Sequence, residues 1–252
     1  LPGACGLYDF FIDAAGMTMR NTWLHGKTAR RRRHLLVFCN GWGMDGRPFR
    51  LLGTRDYDVL HLYDFRDFEG AKRVLDLAAG YDRRVLLGWS MGVWAGQRLF
   101  AHRPQSFTAT IAVNGTLCPI DETRGIPRKL FAGTLENWSE LTRRKFYHRL
   151  CGGGAVEDCF LKSSPARSLA DQRQELAVYL ETADCLGREQ SIYRLAIVSD
   201  RDRIVPTANQ LAFWGPEVRM LAGSHFPFYR WSCWDDLLLD LQAMGGGEDR
   251  GR

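Results

Sequence analysis

A serine, a histidine and an aspartate, far apart in this 252-residue chain, are of the types that together perform acyl transfer. The serine is Ser90, within Gly88-Trp89-Ser90-Met91-Gly92. That pentapeptide follows the apolar run Val85-Leu86-Leu87. It precedes Val93-Trp94-Ala95-Gly96-Gln97-Arg98-Leu99-Phe100, which reads as a helix. Strand, Gly-x-Ser-x-Gly and helix in that order form a nucleophile elbow. The sharp turn presents Oγ above a sheet, and its flanking positions are glycine because side chains there would collide. A serine hydroxyl is a weak nucleophile until a base takes its proton. Histidine is the usual base because it titrates near neutrality.

Of the six histidines, His25 and His34 precede the core, His61 lies in a strand, His102 follows a helix and His148 lies in a helical insertion. His225 sits in Ala222-Gly223-Ser224-His225-Phe226-Pro227-Phe228, between the last strand and the last helix. Only His225 satisfies the chain order serine, acid, histidine; the other five read as surface groups or satisfied polar contacts. The orienting acid belongs after the preceding strand, where Ser199-Asp200-Arg201-Asp202-Arg203-Ile204-Val205-Pro206 offers two. Asp202 is preferred on motif context, and Asp200, nearer the strand end, is read as making turn contacts. Such a carboxylate fixes the imidazole tautomer and stabilises the imidazolium. The oxyanion hole needs two backbone N–H groups, one from the residue after the nucleophile, Met91. The other is expected from Trp42 in Asn40-Gly41-Trp42-Gly43-Met44-Asp45, whose glycines let the backbone approach substrate and whose indole could wall the site. This chemistry calls for no cofactor and no metal.

These residues need a scaffold that brings strand ends together. Strands are predicted at His34–Cys39, Tyr57–Tyr63, Arg84–Leu87, Phe107–Val113, Leu195–Val198 and Val218–Leu221. They are short and continuously apolar, as for strands covered on both faces. Helical segments lie between several of them, as at Glu69–Gly80. The alternation predicts an α/β fold with a mostly parallel sheet flanked by helices. In the final helix Trp231, Trp234, Leu237, Leu238 and Leu241 share one face and read as core. The region 117–190 breaks the alternation: it reads as helices punctuated by Pro127, Gly152-Gly153-Gly154 and Pro165, and is rich in Arg, Lys and Glu. The expected organisation is a discontinuous core (34–116 and 191–244), a helical lid (117–190), an N-terminal extension (1–33) and a polar tail (245–252). The chain begins with Leu, and Met17 or Met19 offers a natural start.

Composition narrows the function classes. The chain is 45% hydrophobic with a formal net charge of +5. No apolar run approaches the roughly 20 residues of a membrane span, and no secretory signal is evident. Arg30-Arg31-Arg32-Arg33 reads as a solvated segment before the first core strand rather than a nucleic-acid patch, because the basic residues are not interleaved with aromatics. Seven cysteines (5, 39, 118, 151, 159, 185 and 233) show no repeated spacing. Free thiols in a reducing cytosol are expected in place of a disulfide framework or a zinc site.

Several of these segments carry a more specific likeness. Asn40-Gly41-Trp42-Gly43-Met44-Asp45, Tyr63-Asp64-Phe65-Arg66-Asp67, Trp89-Ser90-Met91-Gly92-Val93-Trp94, Asn114-Gly115-Thr116 with Pro119-Ile120-Asp121, and His225-Phe226-Pro227-Phe228 together resemble the BioG-type pimeloyl-[acyl-carrier protein] methyl ester esterases. The likeness runs from about residue 34 to 240. It implies an α/β-hydrolase fold with a helical lid and a triad of Ser90, Asp202 and His225. It also implies cleavage of pimeloyl-carrier-protein methyl ester to the free acid and methanol, in biotin synthesis. The first 30 or so residues are not part of the pattern, and the triple glycine at 152–154 has no role in it.

Such a substrate carries a methyl ester at one end of a seven-carbon acyl chain and a labile thioester at the other. A narrow channel that keeps the carrier outside and admits only the distal ester to Ser90 would spare the thioester. Trp42, Trp89, Phe146 and Phe226 are candidates for lining that passage, although Phe146 reads equally well as core. Arg143, Arg144, Lys145 and Arg149, with Arg124, Arg128 and Lys129 upstream, form a basic cluster suited to an acidic carrier protein. Each taken singly also fits a solvated helix face. A carboxylesterase or thioesterase acting on another acyl group, and a non-catalytic binding protein of the same fold, are the rival readings.

Overall fold

The computed structural model describes residues 19–26 and 32–245. Cys5, Met17, Arg30, Arg31 and the tail beyond Gly245 lie outside the described residues. In chain order the elements are β1 (Arg20–His25), β2 (His34–Cys39), β3 (Tyr57–Tyr63), α1 (Ala71–Ala78), β4 (Arg83–Trp89), α2 (Met91–Phe100) and β5 (Ala109–Val113). Four helices follow: α3 (Arg128–Glu136), α4 (Glu140–Cys151), α5 (Gly154–Lys162) and α6 (Leu169–Thr182). β6 (Leu195–Ser199), α7 (Thr207–Trp214), β7 (Arg219–Leu221) and α8 (Trp234–Gly245) complete the chain.

The strands form one sheet in the order β1-β3-β2-β4-β5-β6-β7. All neighbours are parallel except β1 and β3. The central strands are buried on both faces; Leu35, Leu36, Val37 and Phe38 of β2 have no exposed surface. Each such side chain contributes roughly 1.5–3 kcal/mol through burial.

Three expectations need correction. Residues 20–25 lie within the expected N-terminal extension, yet they form the antiparallel edge strand of the sheet. Arg-Asn-Thr-Trp-Leu-His has no continuous apolar run because an edge strand is only half covered, and a register shift between Trp23 and His25 breaks its alternation. Trp231 precedes α8, which begins at Trp234; it is half-buried against the core, and its Nε1 donates to Asp240 Oδ2 at 3.0 Å. Cys118 and Cys185 are joined as a disulfide, while Cys39, Cys151, Cys159 and Cys233 are free. The pair is 67 residues apart, a separation at which only the fold brings the two ends of the helical insertion together.

That insertion is α3 to α6, between β5 and β6. Ser139 and Ser168 cap α4 and α6 through their side-chain oxygens. Gly152, Gly153 and Gly154 all have positive φ (76°, 83° and 63°), which lets the chain reverse between α4 and α5 within three residues. Beside the disulfide, Leu186 N donates to Leu117 O and Trp94 Nε1 to Asp184 Oδ1, tying the foot of the insertion to the core.

Candidate active site

The chain runs from β2 outward to β3 and then returns to β4 on the other side of β2. A crevice at the carboxyl ends of β2 and β4 follows, because the loops leaving the two strands diverge there. The loop Asn40–Asp45 leaves β2 and the elbow at Ser90 leaves β4.

Ser90 has φ 58° and ψ −128°, a conformation that costs a non-glycine residue of order 1–3 kcal/mol. Its neighbours over-determine it. Ser90 N donates to Val113 O on β5, and Val93 N closes the turn back onto Ser90 O. A Cβ on Gly92 would sit 2.1 Å from Cys39 O and 2.4 Å from Asn40 O, while one on Gly88 would sit 2.8 Å from Val93 Cα. The two glycines are therefore demanded by backbone-to-backbone approach, and the serine between them lies on the wall of the crevice.

His225 and Asp202 are both buried and joined through Nδ1 and Oδ2 at 2.7 Å. That bond assigns the ring proton to Nδ1 and leaves Nε2 as the lone-pair nitrogen. His225 Nε2 is buried with no hydrogen-bond partner, and no hydrogen bond joins it to Ser90. Asp202 accepts on both oxygens: Ile204 N and Val205 N reach Oδ1, and Gln210 Nε2 reaches Oδ2 beside the histidine. Asp200 instead accepts from Gly223 N in the turn, as expected of it.

The loop bearing His225 is fixed from two sides. Trp89 Nε1 and Asn114 Nδ2 each donate to His225 O at 2.9 Å. Asn114 also pairs with Ser199 through Oδ1 and Nδ2, linking the ends of β5 and β6. From the insertion, Leu150 O accepts from Phe226 N and Cys151 O from Ser224 Oγ. Asn114 and Gln210 are positioning groups that spacing alone did not single out. Asn114 has a trace in sequence, since it belongs to the distinctive segment Asn114-Gly115-Thr116.

The remaining expected groups divide. The N–H groups of Trp42 and Met91 have no acceptor among the described residues, and both residues line the same cavity as Ser90. Trp42, Trp89 and Phe146 also lie on its wall. Phe146 is at once lining and core, edge-on to Trp42 and Trp138. Phe226 is not on the wall: it is packed among Phe49, Trp89, Phe160, Phe228 and Tyr229, beneath the site. Its ring fills that aromatic cluster and is taken up by core packing.

The cavity is about 480 Å³, within the range of small-molecule sites. Helices α3, α4 and α6 roof it with Phe131, Phe146, Leu150 and Leu176, and the α3–α4 connection adds Trp138. The charged residues on its wall are Lys129, Lys145, Arg149 and Arg203, all exposed, and no carboxylate lines it. Arg203, absent from the expected cluster, is contributed by the loop that also carries Asp202. Arg144 is exposed but does not line the cavity. Arg143 is half-buried and committed elsewhere, to Glu140 in an ion pair at 2.6 Å and to Arg167 O.

His61 is a buried structural partner. Its Nε2 accepts from Asn40 Nδ2 at 2.6 Å, and burial pushes its pKa down to about 3. Asn40 Oδ1 in turn accepts from Gly41 N at the start of the oxyanion loop. Among the described residues one group has metal-ligating types close together, Cys118, Asp121 and Cys185. Its two sulfurs are bonded to each other, and none of the three lines the cavity.

This fold and this strand-end crevice are those of the α/β hydrolases. The chain superposes on the enol-lactonase of Burkholderia xenovorans LB400 with TM-score 0.56, covering 89% of this chain and 96% of that one at 15% identity, a likeness of fold alone. The sequence model of pimeloyl-ACP methyl esterase BioG matches residues 25–237, and the chain belongs to the BioG family. The crystal structure of BioG from Haemophilus influenzae matches with TM-score 0.74 and 31% identity, over 87% of this chain and 99% of that one. An uncharacterized H. influenzae protein is 36% identical over 209 residues, 81% of this chain and 94% of that protein. A Bacteroides fragilis protein named malonyl-[acyl-carrier protein] O-methyltransferase is 34% identical over 200 residues. The match takes in 77% of this chain but spans only 40% of the B. fragilis protein, whose name describes a much longer polypeptide.

Proposed function

We propose that this chain is a serine esterase that hydrolyses the methyl ester of pimeloyl-[acyl-carrier protein] methyl ester, releasing methanol. One observation carries the reading beyond family membership. Ser90 lines an apolar cavity, and the charged residues on its wall are all positive. An apolar acyl chain with an uncharged ester at its tip fits the interior. An acidic carrier fits the cationic surround.

In the proposed mechanism Ser90 Oγ attacks the ester carbonyl while His225 Nε2 takes the hydroxyl proton. In the free enzyme the serine–histidine hydrogen bond is often long and tightens in the substrate complex, so the unpartnered Nε2 is compatible with this role. Asp202 holds the Nδ1 proton and stabilises the imidazolium. The N–H groups of Trp42 and Met91 receive the developing oxyanion. Losing one such donor costs about 2.7–4 kcal/mol of transition-state stabilisation. The imidazolium returns its proton to the departing methoxide, leaving a pimeloyl ester on Ser90. Water, activated by the same histidine, then frees the carboxylate and restores the serine.

Under this reading Lys129, Lys145, Arg149 and Arg203 face the carrier directly. Arg144 lies on the same helix as Lys145 and Arg149, and Arg143 acts from its ion pair. Trp42, Trp89 and Phe146 line the acyl passage. The proposed setting is the cytoplasm, as cysteine usage suggested; the Cys118–Cys185 bond is the feature that argues the other way. Arg149→Glu with Lys145→Glu tests the docking step. Turnover of the carrier-bound ester should fall far more than that of a small aryl ester, and equal losses would remove the docking role.

A further inference from the structure

The segment Tyr63-Asp64-Phe65-Arg66-Asp67, distinctive in sequence, contributes no residue to the lining of the cavity. It forms part of a buried ion network that ends on the oxyanion loop. Asp64, at φ 61°, pairs with Arg66 at 2.7 Å and with Arg167 at 2.9 Å. Arg167 in turn pairs with Glu175. Asp64, Arg167 and Glu175 are all buried. Burial works against the Arg167 charge, and Glu175 and Asp64 outweigh it, holding the guanidinium above its ordinary pKa.

Glu175 lies on α6, an insertion helix, yet both its oxygens bind loops of the sheet. Oε1 accepts from Phe65 N at 2.9 Å and Oε2 from Gly43 N at 3.1 Å. One helical turn earlier, Gln172 Nε2 donates to Gly43 O at 2.8 Å, and Gln172 O accepts from Trp42 Nε1 at 2.7 Å. The Trp42 side chain and both polar backbone groups of Gly43 are thus held by α6. On the other side of Trp42, Gly41 N is held by Asn40 Oδ1. Gly43 has φ +73°, so the loop turns where α6 grips it. The Trp42 N–H between these anchors has no acceptor of its own.

We infer that Glu175 and Gln172 are positioning residues for the oxyanion hole, so that the helical insertion builds part of the catalytic machinery as well as roofing the substrate. Trp42 N–H is aimed only while α6 is seated, and Arg167, itself paired with Asp64, braces Glu175 in place. Ordinary buried anchors would add stability alone. These residues instead act on the transition state, because the N–H they orient meets negative charge only there. The inference rests on the esterase reading.

The test uses the full chain with a soluble aryl ester, which needs no carrier. It also uses an alkyl trifluoromethyl ketone, which forms a tetrahedral oxyanion adduct with a reactive serine. Glu175→Gln removes the charge and makes one oxygen a donor; Gln172→Met keeps the size and removes the side-chain bonds to Gly43 O and Trp138 Nε1 without touching any charge. The expected result in each folded variant is a kcat lowered about 10-fold or more with KM within twofold. Affinity for the ketone should fall by a similar factor. If Glu175→Gln does not give a cooperative thermal transition, Gln172→Met decides alone. An unchanged kcat, or a rise in KM at constant kcat, overturns the inference. Absence of any aryl ester cleavage or ketone binding by the unsubstituted protein would instead overturn the esterase reading itself.

Discussion

The ends of the strands and the helical insertion meet at one cavity but are built on different principles. At the strand ends every functional group is buried and held by several directed contacts. Ser90 is locked by two backbone bonds and by glycines that tolerate no Cβ. Asp202 accepts four hydrogen bonds, and the carbonyl of His225 accepts two. At the cavity surround Lys129, Lys145, Arg149 and Arg203 are exposed, and what they offer is charge. Under the proposed function, the difference teaches that geometry-critical chemistry is assigned to rigid sheet ends, while partner selection is left to solvated side chains. α6 crosses this division, since one buried stripe carries both Leu176 of the roof and the Gln172 and Glu175 that grip the loop at Gly43.

The comparison can be broken from the strand-end side first. Ser90→Ala should lower turnover of both carrier-bound and aryl esters by about 10⁴-fold or more, measured by methanol and phenol release. Retained activity would mean that the elbow does not supply the nucleophile. Asn114→Ala removes bonds to Ser199 and His225 O in a fully buried setting and leaves their groups unsatisfied. It should cost about 2–3 kcal/mol in denaturant unfolding and reduce activity on both substrates alike.

The insertion side should respond differently. Reversing Lys145 and Arg149 together should lower kcat/KM for the carrier-bound ester by about 10–100-fold. The loss should be largest at low salt, and aryl ester hydrolysis should stay within about twofold. Salt-independent losses would show that these cations shape the cavity and do not attract a partner.

The smallest effect concerns His61 beneath the oxyanion loop. Its folded pKa of about 3 lies below the ordinary histidine value, so between those values the unfolded chain binds the extra proton. Its contribution is complete above about pH 6.5 and is lost as pH falls, at up to about 1.4 kcal/mol per unit. A His61→Asn variant should show a shallower decline in denaturant midpoint between pH 6.5 and 4, and an identical decline would remove His61 as the cause.

Legibility from sequence followed the same division. Ser90, Asp202 and His225 could be singled out because local rules, a turn, a strand end and a chain order, constrain each. The central strands could be read from continuous apolar runs, and β2 and β3 run between the expected residues. β1 escaped because an edge strand lacks that pattern. Phe226 was expected on the cavity wall, but orientation around a loop is not encoded in adjacency to His225. The Cys118–Cys185 bond and the Glu175 grip on Gly43 join residues 67 and 132 apart, and no local pattern reports such pairings. Arg203 escaped the basic cluster for the same reason, since it reaches the cavity from the Asp202 loop.

The most direct test is mass spectrometry of pimeloyl-carrier methyl ester after incubation with the protein. The predicted product has lost one methylene mass and still carries its acyl group on the carrier, and Ser90→Ala leaves the substrate unchanged. Release of the free carrier through thioester cleavage, or an untouched methyl ester under conditions where aryl esters are cleaved, would contradict the account.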